Sequence, residues 1–182
     1  MRRILVTLTV LLAAALPAAA LARGGTQNDG TIVVRNADNG DGIGADARPV
    51  ATIVIKGFVI GRVSGQGRVE IYDLDPTDTS APEVTGADSH VDVTRPVRGT
   101  TLDGTSWTGT HFTFRAVDGT YRVVVYGSGV YLFASGQGKV WLTGQTTLTG
   151  SPTGDGQYSL NGGVWQSLPV SGSRVISADA SG

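Results

Sequence analysis

The hydrophobic and polar positions of this chain alternate in short runs from residue 31 to residue 168. Each run mixes β-branched and aromatic residues with polar ones, and Gly, Asp, Asn or Pro separates it from the next. Period-two alternation is typical of half-buried strands, and these separators are typical of turns. No window after residue 22 has a helical apolar period of useful length. The pattern predicts about ten short strands, at 31–35, 50–56, 58–63, 68–74, 111–117, 120–126, 129–134, 139–143, 157–160 and 163–168.

The spacing of these runs also predicts the fold class. Short strands with frequent turn signals favour a single antiparallel β-sandwich or barrel, which we place at residues 31–170. The glycine-rich intervals leave a β-solenoid as the alternative. The polar segments on either side are interpreted as a flexible N-terminal segment, 23–30, and a polar C-terminal tail, 171–182.

Two asparagine- or aspartate-glycine pairs predict tight hairpins. Asp118-Gly119 suits a two-residue type I′ turn that sets Val117 opposite Thr120. In that register one face is apolar and consists of Phe112, Phe114, Ala116, Tyr121, Val123 and Val125. Asn161-Gly162 predicts a second such turn, with Tyr158 opposite Trp165.

A third hairpin motif occurs twice, as Ser64-Gly65-Gln66-Gly67-Arg68-Val69 and Ser135-Gly136-Gln137-Gly138-Lys139-Val140, at an offset of 71 residues. We interpret it as a pseudo-repeat, consistent with a duplicated three-strand unit; the alternative is chance similarity between two glycine-rich hairpins. Three-residue loops with glycine in the left-handed position would pair Arg62 with Glu70 in the first copy. The same register would pair Phe133 with Trp141 in the second.

Aromatic side chains of the second copy are the candidate binding residues. Tyr131, Phe133 and Trp141 would share one face, and an exposed aromatic ladder can stack on sugar rings or bind an apolar partner surface. The alternative is that a second sheet covers this face and makes it core. Trp107, in a Gly/Thr-rich stretch, is a candidate rim residue, with packing in a loop as its alternative.

The composition argues against several kinds of chemistry. The chain has no cysteine, so thiolate sites and disulfides are excluded, and its two histidines, His90 and His111, lack metal-binding spacing. We therefore predict no metal, no cofactor and no catalytic residues. The acidic segments 38–46 and 73–78 lack the ligand order of a known calcium loop and are interpreted as plain turns. A secreted hydrolase that uses loop Asp and His side chains is the alternative.

The N-terminus predicts export. Arg2 and Arg3 precede an apolar run from Ile4 to Leu16, and Ala20-Leu21-Ala22 supplies the small residues of a cleavage site. This pattern is typical of a secretory signal peptide spanning 1–22, with a retained N-terminal anchor as the alternative. The run is short for a membrane span, so we expect no membrane association after cleavage. The remainder carries twelve basic and fifteen acidic residues. Without a basic surplus, nucleic acid is not an expected partner.

Four segments resemble a group of uncharacterised exported β-rich proteins from high-GC bacteria: Val59-Ile60-Gly61-Arg62, Gly127-Ser128-Gly129-Val130, Ser135-Gly136-Gln137-Gly138 and Tyr158-Ser159-Leu160-Asn161-Gly162-Gly163. The resemblance covers roughly residues 50–168 and implies export and a β-fold, but no activity. The sequence thus predicts a secreted, non-catalytic β-domain in surface interaction or in binding of carbohydrate or cell wall. Its expected partner is a cell-wall glycan or another surface protein. A purely structural envelope protein is a further alternative.

Overall fold

The computed structural model describes residues 29–36, 43–44, 47–78, 80–97, 99–143, 156–169 and 172–179. The predicted signal peptide and nearly all of the segment 23–30 lie outside these residues. The described part is all-β and has nine strands: β1 Gly30–Arg35, β2 Ala51–Asp73, β3 Glu83–Thr85, β4 Ser89–Val97, β5 Thr100–Gly127, β6 Val130–Thr143, β7 Gln157–Leu160, β8 Gln166–Ser167 and β9 Ser173–Ser177.

All nine strands belong to one antiparallel sheet, in the order β3-β5-β2-β6-β1-β7-β8, with β4 beside β5 and β9 beside β6. Because every described pairing is antiparallel, the β-solenoid alternative is wrong. The sheet is sandwich-like and is not closed into a barrel. Strands β2 and β5 have 23 and 28 residues, far longer than the predicted short runs.

The long strands bend, so each contributes to two layers. We call layer A the segments 51–57, 67–73, 104–109, 120–127 and 136–143, with β4 and β9 at its edges. Layer B consists of 58–63, 111–117 and 130–135, with β1, β3, β7 and β8. The inward side chains of both layers, such as Ile53, Leu132 and Phe112, form one continuous buried core.

Two opposed glycines form one of these bends. Gly57 and Gly136 pair directly across β2 and β6, at the boundary between the layers, and have φ values of 150° and 146°. A Cβ on Gly57 would lie 2.2 Å from the Ser135 carbonyl oxygen, and one on Gly136 would lie 2.2 Å from the Lys56 carbonyl oxygen. Only glycine allows the two backbones to approach this closely.

The predicted hairpin at Asp118-Gly119 is wrong. Strand β5 continues through this pair, and β2 remains its antiparallel partner from the Val59–Ala116 pair to the Gly57–Gly119 pair. A bulge with Asp118 at φ 58° takes the place of the turn. The predicted apolar face is nevertheless buried along its whole length. A one-residue bulge shifts the alternation by one position, as a two-residue hairpin also does.

The two pseudo-repeat hairpins are also wrong, because β2 and β6 run continuously through both motifs. The copies nevertheless meet in the sheet. Gly61 pairs with Leu132, its equivalent 71 positions later, and the Val59–Ala134 and Val63–Val130 pairs flank it symmetrically. Each copy passes from layer A to layer B and back. This correspondence supports a duplicated unit that pairs with itself around a local dyad.

The turn at Asn161-Gly162 is confirmed, since both residues have positive φ, as a type I′ turn requires. Its register differs by one residue, because Tyr158 pairs with Gln166 instead of Trp165. The segment predicted as a polar tail contains β9, which pairs with β6 along its full length. Ile176 and Ala178 from this segment join the core.

Candidate functional site

The candidate residues Tyr131, Phe133 and Trp141 all lie on the outward side of β6, but they do not form one cluster. Phe133 pairs with Ile60 and Val33 in layer B, whereas Trp141 pairs with Thr52 and Val175 in layer A. Trp141 follows Phe133 by eight positions in the same strand, a span of about 26 Å if the strand were straight. The bend at Gly136 lies between them and places them in different layers. The predicted cross-strand pair Phe133–Trp141 is therefore wrong, because the loop between them is a bend in a continuous strand.

Tyr131 and Phe133 belong instead to an apolar strip on the outward side of layer B. We call this strip the aromatic face; it consists of Val33, Phe58, Ile60, Tyr131 and Phe133, with Trp165 at its edge. The rings of Phe58 and Phe133 are in contact, with 5.6 Å between their centroids. Tyr131 and Trp165 are each 42% exposed, and the other members are half-buried. No described strand covers this face.

Two exposed arginines lie against the rings of the aromatic face. The guanidinium of Arg62 is 5.6 Å from the centroid of the Tyr131 ring, and that of Arg35 is 4.1 Å from Trp165. Arg35 also donates hydrogen bonds to Gln157 Oε1. These cation–π contacts hold the arginine side chains along the surface while the charged groups remain accessible to solvent.

A polar end borders the aromatic face next to β3. Glu83 pairs with Arg115, which is opposite Ile60, and Arg115 Nε donates a 2.7 Å hydrogen bond to Glu83 Oε2. A pocket of about 310 Å³ opens here, between this ion pair, Ile60 and the side chains of Thr85 and Thr113. The face therefore combines exposed rings with hydrogen-bonding groups at both ends.

Trp107 does not reach the aromatic face. It pairs with Val69 and His90 in layer A, and its half-buried side chain packs against the core. His90 is exposed on the edge strand β4, and His111, at φ 61°, is exposed where β5 passes between layers. The two histidines therefore lie on different parts of the surface, and neither belongs to the aromatic face.

The aspartates of the segment 73–78 serve turn formation. Asp73 Oδ1 accepts a hydrogen bond from the backbone N–H of Asp75, and Asp75 Oδ1 accepts bonds from the N–H and hydroxyl of Thr77. The hydroxyl bond is the main cause that lowers the pKa of Asp75. Among the described residues, no three acidic or histidine side chains are grouped to hold a metal ion. Most of the segment 38–46 lies outside them.

Four members of the aromatic face were missed by sequence reasoning: Val33, Phe58, Ile60 and Trp165. The predicted hairpin at residues 64–67 paired Arg62 with Glu70. The sequence analysis therefore did not place Arg62 next to Tyr131. In the actual sheet Arg62 pairs with Tyr131, and Ile60 pairs with Phe133. Alternation within 58–63 already puts Phe58, Ile60 and Arg62 on one side, and this signal could have found Phe58 and Ile60.

Comparisons with known proteins identify no relative. No protein-family model matches the chain, no curated protein matches it, and no solved structure resembles it. Among the described residues, no helix is long and apolar enough to cross a membrane. The class of protein defined so far is an all-β, sandwich-like domain with an aromatic face that no described strand covers.

Proposed function

We propose that this chain is an exported, non-catalytic β-domain that binds carbohydrate of the cell wall through its aromatic face. The observation that carries the proposal is the strip of rings around Tyr131 and Phe133, which no described element covers. An exposed apolar strip with a polar border is a typical interaction surface. Export rests on the signal-peptide pattern of residues 1–22.

The chemistry of the face favours a sugar chain over an apolar protein surface. Sugar rings present apolar C–H faces and a rim of hydroxyl groups, so a binding site needs flat rings next to hydrogen-bonding side chains. Tyr131 and Trp165 supply exposed rings. Arg35, Arg62 and the Glu83–Arg115 pair supply donors and acceptors beside them.

Retention on insoluble polysaccharides and isolated cell walls tests this proposal. We expect the protein from residue 23 onward to be retained. Replacing Tyr131 with alanine should weaken retention by about tenfold or more, as for a residue central to an interface. Trp165→Ala should act in the same direction. Circular dichroism and thermal unfolding check that both variants are folded.

Trp141→Ala is the matched control, because Trp141 lies outward on the same strand but in layer A. It should be retained like the unmodified protein. Absence of retention on every material, or equal retention of Tyr131→Ala and the unmodified protein, would contradict carbohydrate binding by this face.

A further inference from the structure

The outward side of layer A carries a second, smaller apolar cluster. Tyr72, Val124 and Tyr126 are buried there although they point away from the main core. They are covered by side chains of neighbouring segments: Ala47, Leu74, Val93 and Leu102. The last two belong to the hairpin of β4 and the start of β5, which therefore folds over this side of the sheet.

Three arginines surround this cluster, and we call Arg68, Arg95 and Arg122 the arginine cluster. The carboxylate of Glu70 is already engaged by its neighbours. Tyr72 donates a 3.0 Å hydrogen bond to Glu70 Oε2. Arg68 Nε forms an ion pair with Oε1 at 3.3 Å, although this buried N–H makes no hydrogen bond to the described residues. Arg68 also lies 4.0 Å over the ring of Tyr126 and contacts the Ile43 carbonyl oxygen.

Arg95 and Arg122 lack such a direct contact with any described carboxylate, although the negative charge of Glu70 still acts on Arg122 and raises its pKa. Arg122 sits opposite Tyr72 in the sheet, and its Nε is buried without a hydrogen-bond partner. Among the described residues, neither arginine forms an ion pair with a carboxylate. Burial lowers the pKa of Arg122, and the positive charge of Arg95 lowers it further.

Two adjacent half-buried guanidinium groups are costly when no described carboxylate forms an ion pair with either of them. Burying a charge is unfavourable unless it is paired and hydrogen-bonded, and an orphaned buried N–H often marks the place of an absent ion or ligand. The planar fork of arginine matches the oxygens of carboxylate and phosphate groups. Leu102 and Val93 beside these arginines lower the local exposure to water and strengthen such a pair.

We propose that the arginine cluster binds an oxyanion, a carboxylate or phosphate group, between Arg95 and Arg122 under the β4–β5 hairpin. Arg68 remains in its ion pair with Glu70. The site is independent of the aromatic face, because it lies on the outward side of the other layer.

Thermal unfolding with added anions tests the site. Inorganic phosphate and acetate are compared with chloride at equal ionic strength. A ligand that binds only the folded state raises Tm, and we expect a rise of a few degrees with phosphate, acetate or both. The anion that acts distinguishes a phosphate site from a carboxylate site. No rise beyond that in chloride with either anion would overturn the proposal.

Arg122→Met should abolish the anion-dependent rise without lowering Tm in chloride, because it removes a half-buried charge whose Nε makes no hydrogen bond to the described residues. Arg174→Met is the matched control, since Arg174 is exposed on the edge strand β9. It should retain the full rise. If Arg122→Met does not fold, Arg95→Met carries the same expectation. An unchanged rise in the variant that is tested would overturn the site.

Discussion

The two outward surfaces of this sandwich use the same pair of residue types in opposite ways. On layer B, Arg62 lies 5.6 Å from the ring of Tyr131, which is 42% exposed. On layer A, Arg68 lies 4.0 Å from the ring of Tyr126, which is only 6% exposed. The β4–β5 hairpin and the segment before β2 cover part of the second surface, whereas no described element covers the first.

This difference shows that the role of an arginine next to an aromatic ring depends on whether other side chains cover the pair. Where water reaches both groups, the contact is weak and the ring is available to a ligand. Where neighbouring side chains exclude water, each charge needs a partner, and among the described residues Glu70 forms a direct ion pair with Arg68 but not with Arg122. The open surface is suited to a large, flat ligand, and the covered surface to a small anion.

The largest effect is expected where β2 and β6 bend between the two surfaces. Gly57→Ala would place a Cβ 2.2 Å from the Ser135 carbonyl oxygen at a φ of 150°. The overlap cannot relax through movement of a side chain, because the obstructing oxygen belongs to the backbone. We expect a loss of about 3 kcal/mol or more in unfolding free energy, measured by urea denaturation.

Gly44→Ala is the control for this substitution, since a Cβ at Gly44 would meet nothing within 4 Å. It should change the unfolding free energy by less than about 0.5 kcal/mol. A Gly57→Ala protein as stable as the control would show that the two layers are not joined by a close approach of glycines.

The sequence predicts much of the burial in this fold but little of its connectivity. The inward positions of 112–125 follow from alternation, and the shift in phase between Ala116 and Tyr121 follows as well. A two-residue turn and a one-residue bulge produce the same shift, so the residues alone do not separate them. The structure has the bulge because β5 pairs with β2 on both sides of Asp118. Such pairing joins residues that are far apart in the sequence.

Only part of the candidate site could be predicted from the sequence, because strand pairing is a long-range property here too. Alternation correctly puts Tyr131, Phe133 and Trp141 outward, but which rings are neighbours depends on strand pairing. Reading Ser135-Gly136 as a hairpin joined Phe133 to Trp141, whereas the bend separates them. Arg122 gave no sequence signal, because its lack of a partner depends on Glu70 being engaged elsewhere.

A smaller effect is expected from Tyr72 on the covered surface. Burial, followed by its hydrogen bond to Glu70, raises the pKa of Tyr72 from 10.0 to about 12. Its neutral form thus stabilises the folded state fully below pH 10, and this contribution is lost as pH rises through 12. Tyr72→Phe should cost about 1 kcal/mol at neutral pH, from the lost hydrogen bond.

The pH dependence of urea unfolding in the unmodified protein and in Tyr72→Phe measures this contribution. The difference in stability between the two proteins should shrink as the pH rises from 10 toward 12. A difference that stays constant over this pH interval would contradict the raised pKa of Tyr72 and its hydrogen bond to Glu70.

The smallest effect concerns the open surface, where Arg62 meets Tyr131. A double-mutant cycle of Arg62→Ala and Tyr131→Ala should give a coupling free energy of about 0.5 kcal/mol, because water surrounds both groups. The same cycle with Arg68 and Tyr126 should give a larger value, since that pair is closer and mostly buried. Equal coupling in the two cycles would mean that coverage by the β4–β5 hairpin does not govern these contacts, and the contrast between the two surfaces would lose its physical basis.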